Sequence, residues 1–267
     1  MSMQALSSWP AEQRRQVRGI LTDIDDTFSS HGKLTVAALA ALDRSKVAGL
    51  RRIAVTGRPT YWTLPLLRLC DFDAIIAENG ASAFWIDGEG RQQAMYYADA
   101  QTRAQHRQHL LDFANIMRRH FPNVLPAADA AQRIGDLAFD IAENIPAIPL
   151  SQLNEVVALI REQGLHATTS SIHAHASVAP FNKQSMSQRV LHEVFGICDE
   201  VAKTTYVFIG DSANDASMFA HYPFSVGVAN IYKYLDRFEA HPAYVCQAKY
   251  GEGFVELVDF LLKDKNE

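Results

Sequence analysis

The chain has 267 residues, 48% hydrophobic and 21% charged, an ordinary balance for a soluble globular protein of one large domain or two smaller ones. Its net charge of −5 excludes an electrostatic case for nucleic acid or an anionic membrane, and no apolar run approaches the ~20 residues that cross a bilayer. Cys70, Cys198 and Cys246 are odd in number and outside metal-ligand spacing, and the stretch through Gly19 lacks an apolar signal-peptide core, which together predict reduced, buried thiols and a cytoplasmic location.

The first predicted strand, Ile20–Asp23, runs into Asp23, Asp25 and Asp26, three carboxylates within four residues. Like charges so close repel. A divalent cation among them, or a retained proton, makes them tolerable, although aspartate is also common in plain turns. Thr35 is predicted to cap a helix with Val36, Leu39, Leu42, Val47 and Leu50 on one face, closed by Gly49. The next strands, Arg52–Val55 and Asp73–Ala77, end at Thr56-Gly57-Arg58-Pro59 and Glu78-Asn79-Gly80. Short apolar runs separated by helices predict an α/β fold with a Rossmann-like, doubly wound parallel sheet.

From about Tyr97 the pattern changes. Leu110, Phe113, Ala114, Met117 and Phe121 mark a long helix, and Leu137–Ala142 reads as a strand. Ser151 opens a helix with Leu153, Val156, Val157 and Ile160 inward and Gly164 past its end, and His166–Val178 reads as extended. Residues 98–176 are therefore read as an inserted α+β domain, with 1–97 and 177–267 forming the core domain. There the first pattern resumes: a helix over Gln184–Phe195 and a strand, Tyr206–Ile209, running into Gly210-Asp211-Ser212-Ala213-Asn214-Asp215. Strands Phe224–Val228 and Ala243–Cys246 precede a terminal helix carrying Phe254, Leu257, Val258 and Leu261. Ligands of open parallel sheets bind beyond the carboxyl ends of the strands, so Asp23 and Asp25, Thr56, and Asp211 with Asn214 and Asp215 should converge.

The segments DIDDT (23–27) and VTGR (55–58), Lys183, and GDSAND (210–215) resemble, in order, the four motifs of the haloacid-dehalogenase-like (HAD) phosphohydrolase superfamily. The resemblance spans nearly the whole chain. The place of the insert, with ENGA (78–81) and GEGF (251–254), is similar to the subclass with a large α/β cap, which contains many sugar phosphatases. The resemblance implies Asp23 as a nucleophile that forms an aspartyl-phosphate and Asp25 as general acid, then base. It implies Mg²⁺ held by Asp23, Asp211 and the Asp25 main-chain carbonyl, with Asp215 either a further ligand or the residue that orients Lys183. Thr56 and Gly57 would meet the phosphoryl oxygens and Lys183 would neutralise their charge. Arg58 would bind phosphate or form a structural ion pair, and Asn214 would contact phosphate or shape its loop. Asp26 departs from the glycine that many relatives have. The short loop Phe28–Lys33 fits an enzyme whose cap covers the site.

His173 and His175 alternate along an extended segment and so share a face. A metal reading of the pair lacks a third ligand, and one histidine, His173 in our assignment, is expected to bind substrate hydroxyl or carboxylate groups. Arg133 is a second candidate. The implied function is a Mg²⁺-dependent phosphomonoester hydrolase acting on a small phosphorylated metabolite, with sugar phosphates the favoured class. A phosphomutase is the nearest alternative, disfavoured because the loop after Thr27 lacks an arginine. A non-catalytic binding module is disfavoured by the intact set Asp23, Asp25, Thr56, Lys183 and Asp211.

Overall fold

In the computed structural model, which describes residues 3–233 and 235–263, the apolar runs form strands of one large sheet. A short β1 (Gln4–Ala5) and α1 (Ala11–Arg15) precede β2 (Gly19–Thr22), followed by α2 (Val36–Val47), β3 (Arg51–Val55), α3 (Thr60–Leu69) and β4 (Ala74–Ala77). A hairpin of β5 (Ser82–Ile86) and β6 (Gln92–Tyr96) leads to α4 (Ala100–His120), β7 (Asp136–Asp140), α5 (Leu150–Glu162), β8 (His166–Thr169) and β9 (His173–Ser177). The chain returns through α6 (Lys183–Arg189), α7 (Asp199–Thr205), β10 (Tyr206–Gly210), α8 (Ala216–His221), β11 (Ser225–Gly227), β12 (Tyr244–Val245) and α9 (Tyr250–Lys263).

Among the described residues the large sheet has the order β1-β12-β11-β10-β2-β3-β4-β5-β6. It is parallel from β1 to β4, and the β5–β6 hairpin adds an antiparallel edge that the sequence reading did not foresee. Strand order reverses between β2 and β10, which places a crevice at their carboxyl ends. Alternation along the strands divides the interior. Ile20, Ala54 and Ile209 join one apolar cluster, with α2 and α9, while Leu21, Ile53, Val55 and Phe208 join the other, with α6.

β7, β9 and β8 form a separate three-stranded antiparallel sheet, with β9 in the middle. Leu137, Phe139, Ala174 and Ala176 pack there against Leu110, Phe113 and Met117 of α4 and Leu153, Val156 and Ile160 of α5. The architecture is α/β, a Rossmann-like core with an α+β cap. No helix among the described residues is long and apolar enough to cross a membrane.

Three expectations are corrected. Thr35 does cap α2, accepting from the Ala38 N–H, and Gly49 closes it at φ +75°. The inward face, however, is Ala38, Ala41, Leu42 and Ser45, while Val36 and Val47 are 84% and 83% exposed. Small residues win because α2 lies against α9, where a Cβ added to Gly251 would come within 3.6 Å of Ala38 Cβ. The helix predicted over Gln184–Phe195 is α6 followed by a π-helical turn, Val190–Val194. Cys70 and Cys246 are buried, but Cys198 is exposed just ahead of α7.

Candidate active site

The backbone delivers the first motif directly from the sheet. Asp23 N–H still donates to Ile209 O at 2.9 Å, so Asp23 sits one residue beyond β2, against β10. The chain then folds over itself, with Phe28 and Ser29 N–H both donating to Ile24 O. Asp26 lies at φ +56°, a left-handed conformation that glycine adopts freely and aspartate tolerates. This explains why a glycine position can hold Asp26. Its carboxylate accepts from His31 N–H at 3.1 Å.

Lys183, at the start of α6, is completely buried and bridges two motifs. Its Nζ lies 2.6 Å from Asp23 Oδ1 and 2.7 Å from Asp215 Oδ1. Asp215 Oδ2 accepts from the N–H groups of Asp211 and Ser212 at 3.0 and 3.1 Å. Asp211 accepts from Asn230 Nδ2 at 2.7 Å. Asp23, Asp211 and Asp215 each present an oxygen within 4.8 Å of the others. Three buried carboxylates thus share one ammonium. Burial alone would lower Lys183, yet Asp215 and Asp23 raise it and keep it charged. For Asp23, burial together with Asp215 and Asp25 outweighs Lys183 and pushes it up to about 7. Burial, then Asp23 and Asp215, lift Asp211 well above the carboxylate range. This excess of hard oxygen donors over cations fits a divalent ion such as Mg²⁺.

Thr56 lies at the end of β3, with its N–H donating to Ile76 O at 2.9 Å and its Oγ1 accepting from Arg58 N–H at 3.1 Å. Arg58 reaches back to the first motif: Nη2 is 2.8 Å from Asp25 Oδ1 and Nε is 3.0 Å from both Asp25 oxygens. Asn214 Nδ2 donates to Asn79 Oδ1 at 2.9 Å, so the 78–81 segment and the fourth motif also touch. Asp23, Asp25, Gly57, Arg58, Asn214, His173 and His175 line one small pocket of about 20 Å³.

A sequence profile of the haloacid dehalogenase-like hydrolases matches residues 20–121. Over that segment the chain is similar to the haloacid dehalogenase-like hydrolases. A phosphoglycolate phosphatase of Methanosarcina acetivorans is 38% identical over 87 residues, 33% of this chain and 35% of that protein. The chain thus matches about a third of that relative's length. Two solved structures share its fold at 16% identity, each covering 92% of this chain and 98% of the other. One is Thermoplasma acidophilum 0175, at a TM-score of 0.69. The other is the sucrose-phosphatase of Synechocystis sp. PCC6803 in complex with sucrose and phosphate, at 0.64.

The cap contributes residues that sequence reasoning did not single out. Asp140 accepts from the N–H groups of Ala142, Glu143 and Asn144, and this turn presents Glu143. Glu143 lies 2.7 Å from Arg58 Nη1 and 2.9 Å from His173 Nε2, joining cap to core. Nothing in the local pattern around Glu143 could signal a contact made only in the tertiary structure. Arg133, a candidate substrate ligand, is buried and bound instead to Asp129, Asp136 and the Gly57 carbonyl.

Glu78, quoted above only as part of a motif, clamps the same junction. Its Oε2 accepts from Ile134 and Gly135 N–H at 2.8 Å, and Oε1 from Thr60 N–H at 3.2 Å. Burial and then the Asp136 charge push Glu78 up from 4.5 to about 7. Across that window the folded chain holds a proton that the unfolded chain releases, so this group's stabilisation is lost as pH rises and levels off above about 7. Glu78→Gln removes the effect. The melting temperature of the variant, relative to wild type, should rise between pH 5 and 7.

Gly210 admits the Asp215 side chain, because a Cβ there would overlap the Asp215 carboxylate. Gly210→Ala should shift Asp215 away from Lys183 and lower kcat by about 10²-fold in a protein that still melts cooperatively.

Proposed function

We propose that this chain is a Mg²⁺-dependent phosphomonoester hydrolase that carries the phosphoryl group on Asp23. The observation that carries this reading is the buried Lys183, bonded to Asp23 and Asp215 beside Asp211. Asp23 Oδ1 is occupied by Lys183, while Oδ2 has no hydrogen-bond donor among the described residues, which suits it to attack phosphorus. Asp25 gives a proton to the leaving oxygen and then takes one from the water that attacks the aspartyl-phosphate. The Thr56 hydroxyl and the loop at Gly57 meet the phosphoryl oxygens, and Asn214 shapes the fourth motif. Asp215 orients Lys183, while Asp23, Asp211 and the Asp25 carbonyl hold the metal. Bound there, Mg²⁺ offsets repulsion between nucleophile and phosphate and stabilises transition-state charge.

Residues 98–176 act as a lid. The pocket of about 20 Å³ is little more than the ~10–15 Å³ that holds one water, so an ester enters only when the cap moves aside. The names of similar proteins, phosphoglycolate phosphatase and sucrose-phosphatase, agree in one respect: each takes a small phosphate monoester. We take sugar phosphates as the favoured class for this chain.

Phosphate release from sugar phosphates, phosphoglycolate and 4-nitrophenyl phosphate, with Mg²⁺ and with EDTA, tests the reading. Release that needs Mg²⁺ is expected. Release undiminished by EDTA, or none from any ester, contradicts it.

A further inference from the structure

His173 and His175 lie on the face of the cap sheet opposite its apolar cluster, and both line the small pocket with Asp23 and Asp25. Their rings are 5.7 Å apart, yet they are not equivalent. The Nε2 of His173 is taken up by Glu143 at 2.9 Å. His175 turns its Nδ1 to Asp136 Oδ2 at 2.8 Å, and Asp136 Oδ1 in turn accepts from Arg133 Nη1 at 2.9 Å.

Although burial raises Asp136, Arg133 and His175 hold it well below the carboxylate range, so it only accepts. The His175 ring proton therefore resides on Nδ1. Burial also lowers His175, which keeps the ring neutral, and Nε2 is left as a bare acceptor. This nitrogen is buried and has no hydrogen-bond partner among the described residues. Three neighbouring donors are engaged elsewhere: Arg58 on Asp25 and Glu143, Ser212 on Asn214 Oδ1, and Asn214 on Asn79. Arg58 is also the only lysine or arginine lining the pocket among the described residues. A carboxylate on the leaving group would face an acceptor lone pair and meet no unengaged cation.

Resting on the phosphatase reading, we infer that His175 Nε2 accepts a hydrogen bond from a hydroxyl of the leaving group and so selects polyol and sugar phosphates over carboxylate-bearing or hydroxyl-free esters. Arg133 and Asp136 are positioning residues that fix the His175 tautomer. A site built around a substrate hydroxyl rejects the analogue lacking it, because its own polar atom is then left unpaired.

The test compares kcat/KM for glycerol 3-phosphate against propyl phosphate and for glucose 6-phosphate against cyclohexylmethyl phosphate. Phosphoglycolate and 4-nitrophenyl phosphate complete the set. In wild type the better hydroxylated ester should exceed its hydroxyl-free partner by at least about 10-fold, and exceed phosphoglycolate as well. His175→Asn keeps an amide N–H for Asp136 but offers no acceptor at the Nε2 position, so it should draw that ratio toward one. Equal rates within both wild-type pairs, faster turnover of phosphoglycolate, or an unchanged ratio in folded His175→Asn would each overturn the inference while leaving the phosphatase reading intact. No release from any ester, 4-nitrophenyl phosphate included, would remove both.

Discussion

Asp23→Asn should lower kcat by at least about 10⁴-fold while leaving the protein folded. Asparagine is nearly isosteric, and its amide does not attack phosphorus. The structural cost is small because Asp23 is one of three carboxylates around a single ammonium. Removing one relieves repulsion, and Lys183 keeps Asp215. Kinetics with 4-nitrophenyl phosphate and a thermal melt separate the two effects. Wild-type turnover in the variant would end the assignment of Asp23 as nucleophile.

Lys183→Met should damage both stability and activity. The substitution leaves Asp23, Asp211 and Asp215 buried with no cation bonded to them, and breaking a buried ion pair from one side typically costs about 3–5 kcal/mol. Mg²⁺ should restore part of that loss, because it binds the same carboxylates. The urea midpoint should therefore drop in EDTA and partly recover in Mg²⁺, with turnover lost in both. A variant as stable as wild type in EDTA would show that the lysine does not offset the carboxylate charge.

Much of this arrangement was legible in the sequence because it lies where regular elements end. β2, β3 and β10 run out into Asp23, Thr56 and Asp211, and the reversal of strand order brings these ends together without help from any side chain. Helix ends were equally readable, as at Thr35, Gly49 and Gly164, where backbone geometry constrains residue type. What hydrophobic periodicity misjudged was the buried face of α2. The close approach of α9 favours alanine and serine over the larger Val36 and Val47. The cap side of the site was legible only in part. Alternation put His173 and His175 on one face, but their difference comes from Glu143 and Asp136, which local patterning does not connect to them. Glu78 illustrates the same limit, since its hydrogen bonds reach across to Ile134 and Gly135.

The central claim is that the phosphoryl group rests on Asp23. Asp25→Asn removes the base that activates water, while 4-nitrophenyl phosphate carries a leaving group that needs no acid, so this pair should accumulate the intermediate. Acid quenching followed by peptide mass spectrometry should find one phosphoryl group on the peptide containing Asp23. A phosphoryl group on any other residue, or none anywhere while wild type turns the ester over, would contradict the account.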